Sequence, residues 1–296
     1  MENLRGIMLM VAAMAGFAME DMFIKLTAAD LPTGQILLML GVAGTPVFAA
    51  MAAMQGQSIW SKEAFNRTVL WRHLGDMIGT LGFVTALSLI PISVVSAILQ
   101  AMPLAVTCGA ALFMGEKVGW RRWAAIMVGF IGVLIVIRPG FEGFRPPALW
   151  AVLSVAGLTL RDLATRQIPA RIGTMQVGSW GFVAVAVLGA MMLARSGGAV
   201  WPSGVQVVYL LGALAFGVAS YWAIMSAMRA GEMSVITPFR YSRLIFAIII
   251  GMVVFDERPD TLMLLGSAII IASGLYTLAR ERRLRQRTLS LGAAAE

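Results

Sequence analysis

Apolar residues run along this chain in ten blocks of helix length, separated by short polar connections. The blocks cover roughly residues 4–27, 33–54, 69–89, 92–114, 121–137, 147–167, 174–195, 204–228, 233–254 and 261–279. A bilayer-spanning helix needs about 20 mostly apolar residues, so the pattern predicts an all-α integral membrane protein with ten transmembrane helices. The first block lacks a small-residue cleavage site behind a short apolar core, and it reads as a mature span. The connections leave no room for a soluble domain. The end, RERRLRQRTLSLGAAAE, is charged and then small and polar, which predicts a disordered cytoplasmic tail over 283–296.

The blocks repeat. Adding 141 to a position in the first half finds its counterpart in the second without a gap. Ala15-Gly16 meets Ala156-Gly157, Asp21 meets Asp162, Thr33 and Gln35 meet Thr174 and Gln176, Trp60 meets Trp201, Ser93-Val94 meets Ser234-Val235, and Glu116 meets Glu257. Chance pairing of apolar segments explains matched Ala and Val but not matched Asp, Gln, Trp and Glu. Fixed-period self-similarity marks a duplicated unit, here 1–141 and 142–282. Each unit holds five helices, an odd number, so the second must enter the membrane inverted. Inverted repeats mark secondary transporters, whose substrate sites lie near the midplane at the repeat interface.

Composition and charge narrow this picture. The 296 residues are 59% hydrophobic and 13% charged, with mean hydropathy +0.84; a soluble domain carries about 25% charged residues. The net charge of +8 would suit nucleic acid if it were gathered in one patch, but it falls in short loops and at the C-terminal end, so no nucleic-acid partner is expected. Three of the 23 Lys and Arg residues, Arg161, Arg240 and Arg243, lie deep in their spans and are left out of the orientation count. Of the other 20, the side bearing the N-terminus collects 15: Arg5, Lys62, Arg67, Arg72, Lys117, Arg121, Arg122, Arg166, Arg171, Arg229, Arg280, Arg282, Arg283, Arg285 and Arg287. The other side collects 5: Lys25, Arg138, Arg145, Arg195 and Arg258. By the positive-inside rule both termini face the cytoplasm, as in a multi-pass protein of the inner (plasma) membrane. One Cys and one His supply neither a disulfide framework nor a metal cluster, and no cofactor or metal is expected.

Polar residues at membrane depth are costly and mark candidate sites. In the first span, Glu20 and Asp21 lie about 25 Å from its cytoplasmic start, and Lys25 stands one turn from Asp21, at ion-pair spacing. Arg161-Asp162 occupies the equivalent place in the second repeat. The third span opens with Arg72, His73 and Asp76; Arg72 suits a snorkelling anchor, and His73, Asp76 and Asp21 are the candidates for proton coupling. Gln100 and Pro103 interrupt the fourth span, where a proline removes a backbone bond and kinks the helix. In the ninth span Arg240, Tyr241 and Arg243 precede a charge-free run from Leu244 to Phe255, and Tyr241 is the repeat counterpart of Gln100. Two guanidiniums on one face suit a carboxylate or other anion; pairing with Asp21, Asp76 or Asp162 is the structural alternative. The expected substrate-binding set is Arg240, Tyr241, Arg243, Gln100, Asp21, Glu20, Asp162 and Arg161, with Arg240 and Tyr241 on substrate and Arg243 structural.

Three stretches carry a resemblance: GFAMEDMFIKL in the first span, MGEKVGW after the fourth, and FDERPDTLMLLGSAIIIASGLYTLARERR at the end. They resemble the drug/metabolite transporter superfamily, EamA type, over nearly the whole chain, most closely its carriers for riboflavin or S-adenosylmethionine uptake and its amino-acid exporters. The resemblance implies ten helices around a central cavity and secondary transport of small organic metabolites without ATP. Glu116 and Glu257 match the family's marks, and their expected work is to hold short loops together. The leading expectation is alternating-access transport of a small polar metabolite (an amino acid, vitamin or nucleoside-like molecule), with an amino-acid or drug exporter of the same fold as the alternative. The runner-up class, a membrane-embedded enzyme, would need a nucleophile–base set or metal ligands that the sequence does not offer.

Overall fold

The computed structural model describes residues 2–116, 118–139, 145–169, 171–230 and 233–293. Its helices are α1 (Glu2–Ala28), α2 (Thr33–Met54), α3 (Arg67–Leu89), α4 (Ile92–Leu99), α5 (Met102–Phe113), α6 (Trp120–Ile137), α7 (Ala148–Thr165), α8 (Thr174–Ser196), α9 (Gly204–Ala230), α10 (Met233–Ile236), α11 (Ser242–Val254) and α12 (Thr261–Ala293). One 3-10 turn, Lys62–Phe65, precedes α3, and another, Thr237–Tyr241, joins α10 to α11. Among the described residues no strand is assigned. Counting the broken pairs α4–α5 and α10–α11 as single spans gives the ten segments read from the hydropathy, and among the described residues nine of them are long and apolar enough to cross a membrane. The tenth, α3, carries Arg67, Arg72, His73 and Asp76 in its first half.

The expected tail follows a different course. Helix α12 continues through Ala293, well into the stretch expected to be disordered; Arg, Leu and Gln are good helix formers, and 280–291 holds no Gly or Pro to stop the helix. Residues 294–296 and Lys117 lie outside the described residues.

Two compact units form, and each draws on both halves of the chain. One holds residues 19–95 and 145–218, the other residues 1–18, 96–144 and 219–296. In the first unit α2 packs on its own repeat counterpart, α8. A Cβ on Gly34 would sit 2.8 Å from Met192 Cβ, one on Gly41 2.5 Å from Ala186 N, and one on Gly44 2.4 Å from Phe182, while Phe48 and Phe182 stack at 4.9 Å. Numbers rise along α2 as they fall along α8, so the two helices are antiparallel. Helices α3 and α7 pack the same way, with Gly75 against Arg161 N and Gly82 against Trp150 O. In lipid, where apolar surface gains little by pairing, such small-residue contacts let backbones approach and dispersion hold them.

The second unit contains the other self-paired counterparts, α6 and α12. Gly129 meets Ser273, Gly132 meets the carbonyl of Gly266, and Gly266 meets Val136, again an antiparallel order. Equivalent helices that run in opposite directions are what an inverted duplication requires. The fold is therefore all-α and built from two inverted repeats.

The repeats also share their loop devices. Gln35 Nε2 donates to Val200 O at 2.6 Å and its Oε1 accepts from Val200 N at 2.9 Å; its counterpart Gln176 donates to Ser58 O. Helix α5 ends at Phe113 with Gly115 at φ 69°, and α11 ends at Val254 with Asp256, the counterpart of Gly115, at φ 50°. The next amides, of Glu116 and Glu257, reach back to Ala110 O and Gly251 O at 3.2 and 2.9 Å. These are left-handed C-cap turns, so the acidic marks of both repeats sit at the turn that closes a helix.

Candidate functional site

The sequence-predicted residues fall into two groups, one in each compact unit. The first group is built on a matched pair of broken helices. The fourth span stops at Leu99 and resumes at Met102; the ninth passes from α10 through the 3-10 turn Thr237–Tyr241 into α11. Pro103 and Pro238 each stand in the first turn of the piece that follows, where a missing N–H costs nothing. The two prolines are not repeat counterparts, yet the breaks meet at one position: the turn Thr237–Tyr241 corresponds to residues 96–100, so Tyr241 and Gln100 are counterparts. The break in the fourth span lies in the turn before Pro103, where a proline disturbs a helix: Gln100 N donates to both Ser96 O and Ala97 O, and Ala101 N closes a short turn on Ile98 O.

Across this break Gln100 Nε2 donates to Tyr241 O at 3.0 Å. Residues related by 141 touch each other only on the local two-fold axis of the repeat, so this bond marks that axis. Tyr241 is buried, and its phenol occupies space that a side chain at position 274 would fill: a Cβ on Gly274 would lie 1.8 Å from Tyr241 Oη. That buried hydroxyl has no hydrogen-bond partner among the described residues. Arg243 lies over the ring of Phe17, 5.3 Å from its centroid, a cation–π contact. Phe17 borders a methionine-rich core of Met10, Met14, Ala223, Ala227 and Ile236. Arg240 is exposed.

The second group lies where α3 meets α7. Arg72 donates to Asp76 Oδ2 at 2.6 Å. Arg161 reaches Asp76 Oδ1 at 3.6 Å and Asp162 Oδ1 at 2.9 Å. Asp76 and Asp162, two of the acids expected to meet Arg240 or Arg243, are thus held by Arg72 and Arg161. Helix α8 passes closely over the pair: a Cβ on Gly181 would lie 3.0 Å from both Arg72 Nη1 and Asp76 Oδ2. His73 Nδ1 sits 3.5 Å from Arg72 Nη1, and its buried Nε2 has no partner among the described residues.

In the same unit Asp21 is fully buried, at 1% exposure. Glu20 packs over Gly217, whose Cβ would come within 2.7 Å of Glu20 Oε1. Glu20 and Gly217 are the counterparts of Arg161 and Asp76, so an acid faces a glycine in one repeat where a salt bridge forms in the other. Lys25, spaced to pair with Asp21, donates to Leu87 O and Ile90 O at 2.9 and 2.6 Å, a cation on the carbonyls that end α3. The roles of Phe17 and Gly274 carry no local sequence signal, because each depends on a contact between helices far apart in the chain.

A family model for the EamA-like transporter family matches the chain twice, over residues 4–138 and 145–279. The chain belongs to this family. It is a multi-pass membrane transporter and not an enzyme, and its two matches coincide with the two repeats. Among curated proteins it is 29% identical over 217 residues to a riboflavin transporter of Rhizobium johnstonii, covering 72% of each chain. It is 24% identical over 211 residues to an S-adenosylmethionine uptake transporter of Rickettsia felis, covering 71% of this chain and 70% of that one. It is 25% identical over 272 residues to a pseudopaline exporter of Pseudomonas aeruginosa, covering 90% and 94%. A solved structure with 20% identity and a TM-score of 0.61, covering 90% of this chain and 98% of its own, shares the fold.

Proposed function

We propose that this transporter is a secondary carrier that moves a small polar metabolite bearing an anionic group (an amino acid, vitamin or nucleoside-like molecule) across the inner membrane by alternating access, with both termini in the cytoplasm. The observation that carries the reading is the matched pair of broken helices joined by Gln100 and Tyr241. Discontinuous spans free backbone groups at depth and form substrate sites in inverted-repeat carriers. Relatives named for riboflavin and S-adenosylmethionine uptake, and one named for pseudopaline export, fit a small organic cargo.

Arg240, exposed within the 3-10 turn, is the substrate contact, and Tyr241 supplies a hydroxyl. Arg243, seated on Phe17, is structural. Glu20, Asp21, Arg161 and Asp162 are assigned to the transport path as the repeat-related polar positions. Protons are the coupling ion, carried by Asp21 and His73; Asp76 is committed to two arginines.

The test is ligand binding by purified Arg240→Gln and Arg240→Lys, using amino acids, flavins, nucleosides and S-adenosylmethionine as thermal-shift probes. Loss of the wild-type shift in both variants, with unliganded stability retained, is expected, because a lysine cannot reproduce a bidentate fork. An unchanged shift in Arg240→Gln removes Arg240 from the site. Flux into proteoliposomes that ignores an imposed pH gradient removes the proton.

A further inference from the structure

We propose that the cleft between the start of α6 and the Tyr276–Arg280 turn of α12 binds an anionic phospholipid. The two helices are antiparallel, so Trp120 and Arg280 lie at the same end of the pair. A cleft of about 370 Å³ there is lined by Trp120, Arg121, Arg122 and Arg280. A second, of about 340 Å³, shares Trp120 and Arg121 and runs on to Val128 and Tyr276. Arg121 lies 5.4 Å from the Trp120 ring centroid. Three guanidiniums thus sit beside two interfacial aromatics, at the head of an apolar channel. From there α6 carries an outward stripe of Met127, Ile131 and Leu134, exposed at 56%, 51% and 54%. A phosphodiester matches the guanidinium forks, Trp and Tyr sit at headgroup level, and an acyl chain can follow the stripe. Basic pockets between helices at this level take acidic headgroups.

The repeat supplies an internal control. The counterparts of Trp120, Arg121, Arg122, Tyr276 and Arg280 are Thr261, Leu262, Met263, Ile135 and Pro139, at the opposite end of the same helix pair. None of them is basic or aromatic, and the arginine at that end, Arg138, is bound to Asp260. The helix packing is the same at both ends, so it does not require the basic cleft. The charge also exceeds what orientation alone asks for: three arginines converge on one cleft, where topology is satisfied by charge anywhere in the loop.

The occupant is a lipid, not a free anion, because the arginines open onto an apolar channel. Native mass spectrometry of the detergent-purified chain, offered phosphatidylglycerol or phosphatidylcholine, tests it. One retained phosphatidylglycerol per protein is expected, with retention in Arg121→Gln/Arg280→Gln falling about 25-fold, from about fivefold per basic residue at a membrane surface. In parallel, phosphatidylglycerol with brominated chains should quench wild-type tryptophan fluorescence, and Trp120→Phe should lose that component. This second measurement decides the matter if the arginine variant fails to fold. Equal retention of phosphatidylcholine, retention unchanged in the double variant, or quenching unchanged in Trp120→Phe overturns the proposal. So does displacement of the lipid by millimolar inorganic phosphate, which would make this a free-anion site.

Discussion

Replacing Asp76 with Asn removes one charge from a four-residue network and leaves Arg72 and Arg161 facing a neutral amide. The distances rank the consequences. Arg72 is 2.6 Å from Asp76 and has no second acid among the ion pairs it forms; Arg161 is 3.6 Å from Asp76 but also 2.9 Å from Asp162. Breaking a fully buried ion pair costs about 3–5 kcal/mol, and exposed pairs are worth about 0–1 kcal/mol. With the Arg72 and Asp76 side chains 16% and 14% exposed and Arg161 at 30%, the loss should be about 2–3 kcal/mol. Most of it belongs to the shorter bond. A double-mutant cycle separates the two: the Asp76–Arg72 coupling should be about 1.5 kcal/mol or more, and the Asp76–Arg161 coupling about 0.5 kcal/mol, because Asp162 keeps Arg161 partnered. The assay is unfolding of the single and double variants in one detergent, followed by tryptophan emission. Equal couplings, or an Asp76→Asn protein as stable as wild type, refute the ranking. The same variants assayed for flux show whether the network serves transport beyond holding α3 to α7.

Three further outcomes follow from the geometry. Gly274→Val should displace the Tyr241 phenol and destabilise the chain by about 1–3 kcal/mol through overpacking; Tyr241→Phe in that background should recover little, because the clash is with the ring as well as its oxygen. Gly115→Val should cost more than Gly115→Asp, because a β-branched residue tolerates a left-handed turn poorly and aspartate already sits in the equivalent turn at position 256; thermal unfolding ranks the two. Asp260 is pushed up by partial burial, but the Met263 amide and Arg138 outweigh this and hold its carboxyl below the ordinary carboxylate range. A depressed folded value stabilises above the unfolded value of about 3.9 and is lost as pH falls through the folded one. Wild type should therefore lose stability relative to Asp260→Asn in acid below that value, and matching melting curves over this range would contradict it.

How far the sequence can be read depends on which interactions leave a local trace. The inverted repeat was legible because a duplicated chain keeps spacing: Gln35 and Gln176, matched as letters, hold corresponding backbone segments, and Glu116 and Glu257 close corresponding turns. Span boundaries were legible because lipid forces length and apolarity together. The helix break was half legible. Pro103 pointed to the fourth span, but its equivalent in the ninth depends on Pro238 at a different register, and only contact between Gln100 and Tyr241 aligns them. Long-range partners were not legible. Lys25 donates to the carbonyls of Leu87 and Ile90, because the end of α3 is brought to it by tertiary packing that spacing does not encode.

The two repeats, alike in fold, differ in charge. At the α3–α7 contact Asp76 is bridged by Arg161; at the equivalent α9–α1 contact Gly217 lies beneath Glu20. An acid at 217 would place two carboxylates against each other, so the glycine there suits Glu20 as Asp76 suits Arg161. Duplication supplies two copies of one packing geometry, and divergence at 20, 76, 161 and 217 puts a salt bridge at one copy and a carboxylate packed against a glycine at the other. Such asymmetry offers an asymmetric substrate different groups from the two repeats. Converting the contact tests this directly: Gly217→Asp with Glu20→Arg should rebuild the bridge and preserve the fold while lowering flux. A double variant that transports like wild type would show that the difference between the repeats carries no function.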